Sequence, residues 1–255
     1  MSSLERVLQR DRAVVGVGLI VLAVLAWVYT YGLVGGAWPS LMAMPQRHGW
    51  TSLDLALTFV MWVVMMIAMM TPSAAPLVLL VATVERRSSK SSPGACAAAA
   101  LAGYFAVWSG VSILAALAQW ALHDAALLDG PMGRLSPRLA GIVLIAVGIY
   151  QWTPMKAICL SHCRSPVETL AHFWKPGARG AFRLGLHHGF YCLGCCWALM
   201  VVLYVTGVMN LVWVALLSIL VLAERLLPRG LWLDRIAGSG LVAWGLVLAL
   251  GSYSL

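Results

Sequence analysis

A chain of 255 residues that is 62% hydrophobic and only 10% charged is far richer in apolar and poorer in charged residues than an average soluble domain, which excludes a soluble globule and makes it an all-α polytopic membrane protein. The net charge of +8 does not imply a nucleic-acid partner, because basic residues of membrane proteins collect in cytoplasmic loops and the lipid bilayer is the partner such a chain needs. At roughly 20 apolar residues per crossing, seven transmembrane helices are predicted in one integral domain, 1–255, over residues 13–33, 53–81, 96–122, 139–158, 184–205, 208–227 and 236–253.

Glu5 and Asp11 precede the first span, which is too long for a removable leader and lacks a convincing small-residue cleavage site, so it is expected to stay as an uncleaved anchor. Met42, Met44 and His48 follow in an outer loop, where they could capture metal, although the loop reads first as solvated. The second span sets Met61, Met65 and Met69 in one i,i+4 row and Met66 and Met70 in a neighbouring one. Thioethers bind Cu(I) without losing a proton, so such a row suits a soft ion in a low-dielectric core, although methionine also fills core gaps. Pro72 and Pro76 predict a kink beside it.

The third span carries the isolated Cys96, and His123 with Asp124 and Asp129 follows as a group that could capture metal but reads first as solvated loop. Pro154 is expected to break the fourth span near its end, leaving Met155, Cys159, His162 and Cys163 on a frayed turn. Cys159 and Cys163 can chelate together if that turn stays helical. Residues 159–183, punctuated by Pro166, Pro176, Gly177 and Gly180, predict a loop with at most a short helix near 168–173.

In the fifth span His188, Cys192 and Cys195 fall within about 60° of arc on one helix face, flanked by Cys196 and Tyr191. Intramembrane ionisable residues usually mark a site, although membrane cysteines also serve as small buried hydrophobes. Counted together, five of the six cysteines and His162, His172, His187 and His188 lie between residues 159 and 196. Soft sulfur and imidazole donors at that density point to a thiophilic metal, Cu(I) first, with zinc as the alternative because Cys and His serve it as well. In the sixth span Glu224 is expected to pair with Arg225 or a nearby loop base rather than bind metal.

With the N-terminus cytoplasmic and the C-terminus outside, fourteen basic residues fall in inside segments and only Arg47, Arg134 and Arg138 outside. That orientation puts all six cysteines in the cytoplasmic half, where thiols stay reduced.

Several motifs occur in order: Ala68-Met-Met-Thr-Pro-Ser73, Tyr150-Gln-Trp-Thr-Pro-Met-Lys156, Cys159-Leu-Ser-His-Cys-Arg-Ser-Pro166, Gly189-Phe-Tyr-Cys-Leu-Gly-Cys-Cys-Trp197, Gly207-Val-Met-Asn210 and Glu224-Arg-Leu-Leu-Pro228. From the second span to the seventh, the set closely resembles a bacterial family of predicted metal-binding integral membrane proteins, some described as copper chaperones. The resemblance implies copper handling and delivery to cuproenzymes, with Cys159, Cys163, His188, Cys192, Cys195 and Cys196 as ligand candidates and the second-span methionines as secondary ones. Where the family pattern carries Lys after the acidic residue of the sixth span, this chain has Arg225, and Ala157-Ile158 replaces a larger basic-plus-small pair; both departures are expected to leave the ligands untouched.

The expected function is therefore a Cu(I) chaperone or permease of the bacterial inner membrane, passing copper across or within the bilayer toward a cuproenzyme or metallochaperone recipient. The chain has no phosphate-cradling loop and no acyl-transfer constellation, so it is read as not an enzyme. Two alternatives stand beside this reading: a membrane thiol oxidoreductase using Cys195 and Cys196 or Cys159 and Cys163, and a non-catalytic assembly subunit in which the cluster is structural.

Overall fold

A computed structural model describes residues 3–34, 50–88, 92–129, 134–208, 210–227 and 230–251; Met42, Met44 and His48 lie outside them. Among the described residues there are nine helices: α1 (Ser3–Val34), α2 (Ser52–Ser88), α3 (Pro93–Asp124), α4 (Pro137–Gln151), α5 (Pro154–Arg164), α6 (Pro166–Phe173), α7 (Gly177–Thr206), α8 (Leu211–Leu226) and α9 (Gly230–Gly251). A two-residue hairpin, β1 (Leu128–Asp129) with β2 (Arg134–Leu135), pairs Leu128 with Leu135 between α3 and α4. The all-α expectation holds.

Among the described residues five helical stretches are long and apolar enough to cross a membrane, Ala13–Gly32, Ser52–Arg86, Pro93–Asp124, Gly177–Thr206 and Trp232–Gly251, and a sixth is reached if α4 and α5 count as one bent span. Seven are not reached. The predicted span over 208–227 is a 16-residue helix, about 24 Å at 1.5 Å per residue against a hydrocarbon core of about 30 Å. Gly207, with φ at 98°, ends α7 in a conformation that favours glycine. Asn210 then caps α8, its Oδ1 accepting from the Trp213 N–H at 3.5 Å, and the two caps fix where α8 begins.

The fourth span also departs from expectation. Gln151 is the last residue of α4, and α5 sets off at 61° to it as an ordered helix rather than a frayed turn. Thr153 caps it: its Oγ1 donates to the Tyr150 carbonyl at 2.8 Å and accepts from the Lys156 N–H at 3.4 Å. Pro154 sits where a missing N–H costs nothing, at the first position of the new helix. The stretch expected as a loop is accordingly almost all helix: α5 continues to Arg164 and α6 begins at Pro166.

The axis of the structure is α7, in which 67% of the apolar stretch is buried, against 17% in α1 and in α9. It packs on α3 and α5, while α1 lies on α2, α2 on α3, and α9 on α4. Small residues allow these contacts. A Cβ on Gly185 would collide with the Ala100 carbonyl and one on Gly103 with the Phe182 carbonyl, so α3 and α7 touch backbone to backbone. On the other side Gly141 faces Gly245 and Gly148 faces Gly238, each pair leaving no room for a side chain. Close approach through glycine replaces the hydrophobic drive that lipid cannot supply between helices.

Candidate metal centre

The face of α7 predicted to carry soft donors is buried as a unit: His188 is 2% exposed, Cys192 0%, and Cys195 and Cys196 1% each. Helix α5 brings Cys163 against it, because the 61° bend turns α5 across the flank of α7. Cys195 Sγ lies 3.2 Å from Cys196 Sγ and 3.8 Å from Cys163 Sγ, so sulfurs from two helices meet at Cys195. Cys192 sits one turn earlier, its Sγ 2.9 Å from the Tyr104 hydroxyl of α3. His188 stands beside the same tyrosine, ring centroids 5.9 Å apart, with its buried Nδ1 lacking a hydrogen-bond partner.

The other candidates divide. Cys159 is half-buried behind α7, where a Cβ on Gly194 would come within 2.5 Å of its Sγ; this glycine lets the two helices close. His162 is engaged elsewhere, stacked on Tyr191 at 4.4 Å and 5°, with Nδ1 2.9 Å from the Ile158 carbonyl oxygen. Met155 is 64% exposed and lines an apolar cavity of about 500 Å³ with Met66, Tyr150, Gly194 and Met200. Neither His162 nor Met155 is hydrogen-bonded to a thiol among the described residues. Met61, Met65 and Met69 are buried, together with Met66 and Met70, in the same continuous core as Cys163, Cys192, Cys195 and Cys196.

Sequence reasoning missed the residue at the centre. Arg225 Nη2 lies 3.6 Å from Cys163 Sγ, 3.7 Å from Cys195 Sγ and 3.9 Å from Cys196 Sγ. The arginine that departs from the family pattern thus faces three of the ligand candidates. Its Nη1 donates to the Ser73 carbonyl of α2 at 3.1 Å. Ser73 follows Pro72, whose carbonyl loses its helical N–H partner because Pro76 has none to give, and this turn, just beyond Met69 and Met70, is where α2 meets Arg225. The signal available in the sequence was a guanidinium in an otherwise apolar helix.

Glu224 does not pair with Arg225. It accepts from Lys156 Nζ at 2.8 Å, and Lys156 also lies 3.0 Å from Asp234 of α9 and donates to Gln151 of α4. All four are buried. Arg164 of α5 donates from both Nε and Nη2 to the Glu224 carbonyl, which belongs to the last turn of α8, where carbonyls have no partner within the helix. These bonds clamp α5, with Cys159 and Cys163, onto α4, α8 and α9.

Among the described residues no group of three or more His, Cys, Asp or Glu side chains is set out as a finished metal cage. The thiols meet through Cys195, and a guanidinium stands among them. A family model described as PpoB2, copper chaperone, matches residues 59–248. The chain belongs to this copper chaperone family. The match runs from α2 to near the end of α9 and includes every ligand candidate named above. A copper chaperone carries its metal as cargo and is not an enzyme. No curated protein and no solved structure matches the chain.

Proposed function

We propose that the chain is a membrane-embedded Cu(I) chaperone or permease of the bacterial inner membrane, with Cys163, Cys195 and Cys196 as the core of its holding site. What carries the reading is the meeting of sulfurs from two helices at Cys195, buried from water and lipid, in a member of a copper chaperone family. Soft thiolates select Cu(I), and a buried trio excludes the oxygen ligands that harder ions demand. Cys192 stands one turn before Cys195 and Cys196 on α7, and Cys159 one turn before Cys163 on α5. Cu(I) moves among these sulfurs by exchanging one donor at a time, with His188 as the imidazole within the same buried stripe. The methionine row of α2 provides thioether stages toward the other half of the bilayer. The recipient is a cuproenzyme or a soluble metallochaperone, and Zn(II) is the competing ion.

The test is metal content after anaerobic purification from cells given copper. Wild type is expected to carry Cu(I) and the Cys163→Ser, Cys196→Ser double variant to lose it. Equal copper in the two proteins rules this centre out, and zinc in place of copper changes the ion.

The same reading places the N-terminus in the cytoplasm and the C-terminus outside, with α8 as a short seventh crossing, because this path gathers the basic residues on one side. A C-terminal phosphatase fusion active only outside the cytoplasm is the expected result. A fusion that is inactive there, with a fluorescent fusion bright inside, reverses the terminus.

A further inference from the structure

Arg225 is a permanently charged side chain set inside an apolar bundle with partners of an unusual kind. Among the described residues it pairs with no carboxylate: Glu224, its chain neighbour, is committed to Lys156, and Asp234 faces the same lysine. What surrounds the guanidinium is the Ser73 carbonyl on one nitrogen and three sulfurs, Cys163, Cys195 and Cys196, on another. Its Nε is buried without a partner. A buried cation needs a compensating anion, and the groups in reach that become anionic are these three thiols and, one turn earlier on α7, Cys192.

We propose that Arg225 is the charge-selecting residue of the metal centre, a fixed positive charge beside the sulfur trio that favours a monovalent soft ion over a divalent one. The inference rests on the thiol-site reading above and gives that site a selectivity. The two terminal nitrogens have separate tasks. Nη1 anchors the head group to the Ser73 carbonyl of α2, so the charge stays in place when an arriving ion takes over the sulfurs that Nη2 now faces. On any one set of thiolates, that fixed charge repels a +2 ion twice as strongly as a +1 ion. At separations of about 4 Å and an effective dielectric of about 20, the difference shifts relative affinity on the order of a thousandfold. A site built for Cu(I) thereby rejects Zn(II), which takes the same donors.

The experiment measures Cu(I) and Zn(II) affinities for the full chain in detergent by chelator-buffered competition, in wild type, Arg225→Gln and Arg225→Lys. Glutamine keeps a donor but removes the charge; lysine keeps the charge and loses the fork. The Cu(I)-to-Zn(II) preference is expected to fall on the order of a thousandfold in Arg225→Gln and to stay near wild type in Arg225→Lys. A merely structural arginine weakens both ions in parallel, so an unchanged ratio in Arg225→Gln overturns the proposal while leaving the thiol site standing. A lysine variant that behaves like the glutamine variant also overturns it, since geometry and not charge would then be at work. Absence of Cu(I) from wild type removes the functional reading and this inference together.

Discussion

Cys195→Ser is expected to lower Cu(I) affinity by more than about a hundredfold, beyond the range seen for residues that only support a ligand, while Cys96→Ser leaves it unchanged. Cys195 is where the cluster joins: its sulfur touches Cys196 on its own helix and Cys163 on α5. Replacing it by a hard hydroxyl removes the bridge between the helices and leaves Cys163 and Cys196 linked only through Arg225. Cys96 is equally buried, but it packs in a separate small apolar cluster with Leu77, Val81, Ala100, Ala181 and Leu184, between α2, α3 and α7. Burial and thiol chemistry are therefore matched in the pair, and position alone differs. Competition against a chromogenic Cu(I) chelator measures both variants. Equal loss in the two, or none in Cys195→Ser, assigns the cysteines a packing role.

The α7 half of this centre was legible in the sequence and the rest was not, for identifiable reasons. The stripe of His188, Cys192 and Cys195 follows from helical periodicity alone, and it is buried as a stripe should be. The partner sulfur is 32 residues away in the chain, and no periodicity reaches across a bend between helices. That bend was misread because proline gives the same signal for breaking one helix and opening the next; Thr153 before it, a cap residue, was the discriminating clue. Sequence adjacency misled at Glu224 and Arg225. Consecutive helical residues point about 100° apart and do not face each other, so the carboxylate reaches Lys156 on one side and the guanidinium reaches the thiols on another. His162 looked like a donor by composition, yet Tyr191 one helix away offers a stacking surface that holds its ring. The boundary at 208 was also out of reach, because the Gly207 and Asn210 caps delay the start of α8 to Leu211.

The largest effect on stability is expected from Lys156→Met, which should destabilise the folded protein by roughly 3–5 kcal/mol. Lys156 is fully buried and is the cation shared by Glu224 and Asp234, which come from different helices. Removing it strands two carboxylates, one of whose oxygens, Glu224 Oε2, already lacks a partner. The gain from the ion pairs themselves is not the source of the penalty, because taking charges out of water offsets most of it; the cost arises from leaving carboxylates uncompensated. It follows that a triple variant, Lys156→Met, Glu224→Gln and Asp234→Asn, should recover a large part of the loss, since neutral amides are less expensive to bury than unpaired charges. Denaturant unfolding in detergent, followed by tryptophan fluorescence, reads both proteins, and a triple variant no more stable than the single one contradicts the charge account. The clamp also positions the proposed metal centre: Lys156 and Arg164 bracket Cys159 and Cys163 on α5 and tie both ends of that segment to α8, where Arg225 follows Glu224. Lys156→Met is therefore expected to weaken Cu(I) binding without touching a sulfur, and the triple variant to restore binding in step with stability.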